Sequence, residues 1–201
     1  MNTALLDELL EAPHLLIAGM TGSGKSVLLN QLIARLEPGE KNGVALVDLK
    51  KVELIDWKDR SIGYADDQKS AIRMLEGILE LIDRRYKHMQ AKRQKVYADG
   101  VDIYVCIDEL ADLMITSRKQ VEPLLIRIGQ IGRAAGVHLI MCTQQPSAQI
   151  IPTSIKLNCE RVGLHCMTKV QSRQILETDG AEELLPYGEC IWKGKRREIT
   201  L

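Results

Sequence analysis

Residues 19–26 read Gly-Met-Thr-Gly-Ser-Gly-Lys-Ser and follow directly on the apolar run His14–Ala18. The spacing is G-x-x-x-x-G-K-S, and its chemistry is phosphate binding. Backbone amides of a glycine-rich turn running into a helix N-terminus converge on one point and bind phosphate oxygens. Gly22 and Gly24 permit the turn, Lys25 reaches the terminal phosphates, and Ser26 offers a hydroxyl to Mg²⁺. Gly19, Met20, Thr21, Ser23 and Val27 complete the expected nucleotide-contacting stretch. A bland alternative is a glycine-rich strand–helix turn with a surface lysine. An apolar run before the loop and helical periodicity after it favour the phosphate reading.

A second stretch, IYVCIDEL at 103–110, has the form of an apolar strand ending in acids. Asp108 at such a strand end can hold Mg²⁺ through water. The adjacent Glu109 can polarise a water for in-line attack on a γ-phosphate. The competing explanation is that acids commonly open the helix after a strand and favour its dipole. Taken with the loop upstream, the pair points to ATP hydrolysis, not phosphoryl transfer to a small acceptor. After a further apolar run, VHLIMC, comes TQQPS at 143–147. Gln144 at that strand end can sense the γ-phosphate or orient the attacking water; alternatively Thr143 and Gln144 merely open a turn ahead of Pro146.

These residues need a scaffold that brings strand ends together. Apolar runs predict strands at His14–Ala18, Val44–Asp48, Ile103–Ile107, Val137–Cys142, Arg161–His165 and Glu189–Trp192. Helical periodicity predicts helices at Lys25–Leu36, about Asp67–Lys92, about Gln120–Ala134 and Gln171–Glu177. Strands alternating with helices imply an α/β fold with a mostly parallel twisted sheet covered on both faces. In the long helix, Ile72, Leu75, Leu79, Ile82, Tyr86 and Met89 form one apolar stripe, which reads as core and not coiled coil. No composition break or repeat divides residues 1–201, so a single domain is expected.

Composition narrows the function classes. The 27 basic and 27 acidic residues cancel, so any polyanion site must be local. Five cysteines without a C-x-x-C pair suit reduced core thiols of a cytoplasmic protein better than disulfides or zinc. The N-terminus carries acids where a signal peptide carries lysines, and no apolar run nears membrane-spanning length. With no phenylalanine and few aromatics, a stacking platform for single strands is not expected.

In combination the motifs resemble the motor domain of the FtsK/SpoIIIE family of double-stranded DNA translocases. The matching stretches are PHLLIAGMTGSGKSVLLN, VDLKKVEL, IDRRYKHM, IDELADLM, IGRAAGVHLIMCTQQPS and SRQILETDGAEELLPYGECIW, in family order along nearly the whole chain. The resemblance implies a RecA-like P-loop NTPase core, a hexameric ring around duplex DNA, and ATP with Mg²⁺ as cofactors. It aligns Gly19 through Ser26 with the nucleotide loop and Asp108 with Glu109 as the metal and water acids. It aligns Arg133, in GRAAG, with an arginine finger reaching a neighbouring subunit's γ-phosphate, a charge-stabilising role suited to a guanidinium. A basic residue in the last turn before Gly136 is also a favourable helix ending. Arg173 in SRQIL is the second candidate. Asp48 and Lys50 match a family motif without an evident chemical role.

The chain departs from the family pattern in two respects. Gln145 stands where relatives usually carry arginine in TQRPS. The membrane helices, linker and winged helix of full-length relatives have no counterpart, so a minimal member or trimmed motor core is expected, with any membrane anchor or DNA-guiding partner supplied by another chain. Lys92, Arg93 and Lys95, in RRYKHMQAKRQK at 84–95, are candidate contacts to DNA phosphates. A solvated helix face explains the same run. Lys193, Lys195, Arg196 and Arg197 add a second basic cluster. Two other functions fit the nucleotide motifs: a protein-moving ATPase of the type VII secretion kind, and a switch module that changes shape with ATP. The Asp108–Glu109 pair disfavours a switch, which has no need of a water-activating acid.

Overall fold

The computed structural model describes residues 3–199. The chain runs α1 (Thr3–Leu10), β1 (His14–Ala18), α2 (Lys25–Leu36), β2 (Gly43–Val47), β3 (Gly63–Ala65), α3 (Gln68–Lys92), β4 (Ile103–Ile107), α4 (Leu110–Ile131), β5 (Val137–Thr143), α5 (Thr153–Lys156), β6 (Glu160–Gly163), α6 (Lys169–Leu176), β7 (Glu189–Trp192) and β8 (Lys195–Glu198). Short 3₁₀ turns lie at Ile55–Arg60, Arg133–Ala135 and Ala181–Glu183.

Strands β1, β2 and β4 are buried at every position. A strand apolar throughout can only be stable with both faces covered, and successive side chains point to opposite faces. Along β4, Ile103, Val105 and Ile107 join one core with Leu75, Ile78 and Ile82 of α3 and Leu125 and Ile128 of α4. Tyr104 and Cys106 join the other, with Leu28, Leu29, Leu32 and Ile33 of α2 and Leu5 and Leu9 of α1. Thus α1 and α2 cover one face while α3 and α4 cover the other.

The sheet has eight strands in the order β3-β2-β4-β5-β1-β6-β7-β8. The first six are parallel; β7 is antiparallel to β6 and β8 antiparallel to β7. Both edges are unsuited to further pairing. One is the three-residue β3, the other the strand Lys-Arg-Arg-Glu, mostly exposed.

The predicted α/β architecture holds, with local differences. The helix expected at about Gln120–Ala134 starts ten residues earlier, at Leu110, and stops at Ile131. Its first half was masked by Thr116, whose hydroxyl bonds back to the Asp112 carbonyl, by a break at Ser117 (φ −136°, ψ 27°) and by Pro123. The strand expected at Arg161–His165 runs from Glu160 to Gly163. Leu164 stays buried, and its amide bonds to the Ala18 carbonyl. Strands β3 and β8 were not anticipated: the first is three residues long, and the second is wholly charged and carries no apolar pattern. Helix α3 matches its expected span, closed at its start by a capping box between Asp67 and Ser70.

One buried group makes the fold acid-sensitive. His14 at the head of β1 is 2% exposed, and its Nδ1 accepts from the Leu139 amide. That bond leaves the proton on Nε2, which is turned towards the Gly129 carbonyl without closing a full hydrogen bond. Burial, reinforced by nearby His138, pulls the imidazole down to about 4. The unfolded chain therefore binds the extra proton first, and stability is lost as pH falls from about 6.5 towards 4, by about 3 kcal/mol for this group. His14→Asn retains an acceptor near Nδ1 and removes the titration. Urea midpoints followed from pH 7 to pH 4 should fall less steeply in the variant, and parallel profiles would refute the assignment.

Candidate functional site

Because β4, β5 and β1 are adjacent and parallel, the loops leaving their carboxyl ends meet at one sheet edge. The phosphate loop leaves β1, Asp108 and Glu109 leave β4, and Gln144 leaves β5. Residues some 80 to 120 positions apart in sequence thus share one site.

The loop has the backbone its sequence anticipates. Gly22 (φ 79°) and Gly24 (φ 90°) both take left-handed conformations, and Gly24 caps α2 without a side-chain bond. Lys25 is 7% exposed, with Nζ donating 2.7 Å to the Met20 carbonyl of its own loop. Burial pulls its pKa down, opposed in part by the charges of Glu109 and Asp108. The Ser26 hydroxyl donates 3.3 Å to Asp108 Oδ1. Asp108 is buried, and desolvation pushes its carboxyl up to about 6; Lys50 opposes this, while Glu53, Asp48 and Glu109 add to it.

Glu109 caps α4. Its carboxylate accepts from the Ala111 amide at 3.2 Å and from the Gln144 amide at 3.2 Å to each oxygen. It therefore ties the β4 loop to the β5 loop. The Thr21 hydroxyl donates 2.6 Å to Gln144 Oε1, which ties the β5 loop to the phosphate loop. The capping explanation for Glu109 is thus realised. A carboxylate fixed by amides is also a preoriented one, so the two roles are compatible.

These groups surround an open cleft of about 570 Å³, lined by Thr21, Gly22, Gly24, Lys25, Ser26, Val27, Lys50, Glu53, Asp108, Gln144 and Tyr187. Its size suits a nucleotide-scale ligand. Glu109 stands behind this lining and not on it. The neighbouring Ser26 hydroxyl and Asp108 carboxylate are hard oxygen donors of the kind Mg²⁺ takes. Among the described residues no cluster of three or more His, Cys, Asp or Glu is able to hold a metal alone. The donor set fits a cation completed by phosphate oxygens.

Lys50, Glu53 and Tyr187 were not expected in the cleft. The signal for the first two lay in VDLKKVEL. Asp48 is fully buried, and its carboxylate accepts from the Lys51 amide, the Leu54 amide and the Tyr64 hydroxyl, each at 2.9 Å. This clamps 48–54 into a tight turn that leaves Lys50 Nζ 4.0 Å from Asp108 Oδ2. Desolvation, with the Asp48 bond, pushes the Tyr64 phenol up to about 12.

The arginine candidates lie elsewhere. Arg133 is exposed in the 3₁₀ turn before β5, at the opposite end of that strand from Gln144. Seven residues of β5 separate them by about 20 Å. Its guanidinium has no ion-pair partner among the described residues. Arg173 is held by Asp179 in a two-pronged pair at 2.6 and 2.9 Å.

Lys92 is paired with Asp99 at 3.1 Å, whereas Arg93 and Lys95 are exposed past the end of α3. Arg85 turns inward to the carbonyls of Ala135, Gly136 and Val101. It serves the fold and not a surface patch. In the second basic cluster, Lys193, Arg196 and Arg197 pair with Glu160, Glu189 and Glu8.

A model of the FtsK/SpoIIIE family matches residues 1–102 and 92–148. The chain belongs to the FtsK/SpoIIIE family. It is 38% identical over 211 aligned residues to a DNA translocase FtsK of Helicobacter pylori strain J99, covering 96% of this chain and 25% of that protein. It is 36% identical to a DNA translocase FtsK of Chlorobaculum tepidum, covering 97% and 27%. The chain thus spans about a quarter of the length of these FtsK/SpoIIIE relatives.

Among solved structures it is similar to the pCW3 conjugation coupling protein TcpA in its ATPγS-bound monomer form (TM-score 0.81, 24% identity, 92% of this chain and 58% of that one). It is also similar to the cytoplasmic domain of the Thermomonospora curvata type VII secretion ATPase EccC (TM-score 0.76, 22% identity, 92% and 25%). These two likenesses establish the P-loop ATPase fold and nothing finer.

Asp48→Asn places an amide donor against two backbone donors. It should destabilise the fold by about 2–3 kcal/mol, and Tyr64→Phe by about 1 kcal/mol. Urea denaturation reads both, and an Asp48→Asn protein within about 0.5 kcal/mol of the unsubstituted chain would contradict the clamp.

Proposed function

We propose that the chain is a cytoplasmic ATP-hydrolysing motor domain that moves double-stranded DNA, working as a ring of copies, six in number, with each active site completed by a neighbour. The observation that carries this is the meeting of Lys25, Ser26 and Asp108 at one cleft, with a preoriented Glu109 directly behind it on the Gln144 amide, in a chain whose relatives are DNA translocases. Residues 1–201 act as one domain on this reading.

Gly19 to Val27 cradle the nucleotide phosphates, and Lys25 neutralises charge on the transferring group. Ser26 and Asp108 would hold Mg²⁺, whose charge would offset that developing on the phosphates. Glu109 takes the proton of the attacking water, and Gln144 orients that water or senses the γ-phosphate. Arg133 is far from its own chain's cleft, so the finger acts on a neighbour's phosphates. Arg93 and Lys95 are the freer candidates for DNA phosphates; Lys92 must first part from Asp99. Any membrane anchor or guide to particular DNA sequences comes from outside the motor.

The fold likeness to type VII ATPases carries no argument for a protein cargo, because at 22% identity it speaks only for architecture. Steady-state ATPase rates against protein concentration, with and without long duplex DNA at two salt concentrations, separate the readings. A rate that rises more than linearly with protein, and further with DNA at low salt, is expected for a motor assembling on phosphates. Stimulation by peptide but not DNA would sink the DNA reading.

Glu109→Gln should retain ATP binding and lose turnover by about 10²–10⁴-fold; unchanged hydrolysis removes Glu109 from the mechanism. Arg133→Ala copies mixed into unsubstituted protein should depress activity more than in proportion to their share. Strictly proportional loss would argue against a finger acting between copies.

A further inference from the structure

The cleft is not uniform. Most of its polar side chains are engaged with one another: Ser26 and Lys50 meet Asp108, Thr21 meets Gln144, and Glu53 acts on the Asp108 charge. Beyond the loop and these paired groups, the side chains lining the cleft are Val27 and Tyr187. Both are open to solvent, at 45% and 66% exposure. The Tyr187 hydroxyl has no hydrogen-bond partner among the described residues.

A lone exposed tyrosine calls for no explanation, but this one stands on a pinned loop. His165 Nδ1 bonds to the Leu184 carbonyl at 2.8 Å, and the Leu185 amide donates to Glu189 Oε2 at 2.7 Å. Gly188 turns the chain with φ 84°, and its carbonyl accepts from the Ile199 amide at 2.7 Å. The same His165 accepts the Met20 amide at its carbonyl, 2.9 Å away. One residue therefore fixes the Tyr187 loop and the phosphate loop relative to each other. An aromatic ring held at a set place on the rim, without a polar partner, is a preformed stacking surface.

We propose that Tyr187, with Val27, is the base-stacking site of the cleft, gripping the purine of a nucleoside triphosphate by its face. This deepens the triphosphate reading above and rests on it. Because the grip is on the face of the base, and the cleft lining beyond the loop and its paired polar groups holds only Val27 and Tyr187, the base edge goes unread by other side chains, and guanine is accepted as well as adenine. Stacking of a base on an aromatic side chain is worth a factor of roughly ten in affinity, within a wide range.

The test is calorimetric binding of the full chain, with Mg²⁺, to AMP-PNP, GMP-PNP and tripolyphosphate, for the unsubstituted protein, Tyr187→Ala, Tyr187→Phe and Lys25→Ala. Tyr187→Ala should weaken AMP-PNP about tenfold and leave tripolyphosphate unchanged. Tyr187→Phe should bind AMP-PNP within about twofold of the original, and GMP-PNP should bind within about fivefold of AMP-PNP. Lys25→Ala should lose both nucleotide and tripolyphosphate. AMP-PNP binding unaffected by Tyr187→Ala, or tripolyphosphate weakened equally, would overturn the stacking role. GMP-PNP weakened far more than fivefold would overturn the claim of an unread edge. If the unsubstituted chain binds none of the three compounds, the triphosphate reading itself falls.

Discussion

Two-sided burial of the central strands constrains everything else in this molecule. With β1, β2 and β4 buried at every position, and apolar but for His14 at the head of β1 and the Tyr104 hydroxyl, neither face of the sheet is open to polar chemistry. Only the ends of the strands are free to turn polar. The parallel arrangement then sends the turns after β1, β4 and β5 to the same edge, and β5 lies between the other two. The chemistry is gathered by the topology, and each loop needs to supply only one or two side chains.

Around Asp108 the charge balance is uneven. Asp48, Glu53, Asp108 and Glu109 face Lys25 and Lys50, four carboxylates to two ammonium groups. Asp48 is committed to its three donors and Glu109 to two amides, so their roles are fixed before any ligand arrives. Asp108 is the member held against its preference, buried and pushed towards protonation. A divalent cation with triphosphate oxygens would relieve that frustration, whereas either alone would leave part of it standing. The site is poised for the pair.

Much of this was legible beforehand, for identifiable reasons. The phosphate loop is specified by local geometry, since only glycine takes the φ of residues 22 and 24 freely. Asp108 and Gln144 follow apolar runs whose length alone marks them as strands. The first turns of α4 end at a real break, Ser117 (φ −136°, ψ 27°), followed by Pro123, so only the second half announced itself as a helix. What else escaped was set by non-local contacts. Lys50 and Glu53 reach the cleft through a buried carboxylate whose partners lie up to 16 residues away. Tyr187 arrives from the antiparallel return to β7, with no periodicity to announce it.

The sheet's two borders have a mechanical consequence. A three-residue strand closes one side and a charged Lys-Arg-Arg-Glu strand the other. Neither invites a second chain to continue the ladder of backbone hydrogen bonds. Copies that associate must therefore touch through side chains and loops. Such a joint can rotate or part at the cost of a few contacts, while each sheet remains a rigid plate. In such an assembly each plate would carry a displacement from its polar edge to its far edge, and the seams between plates would take up the strain.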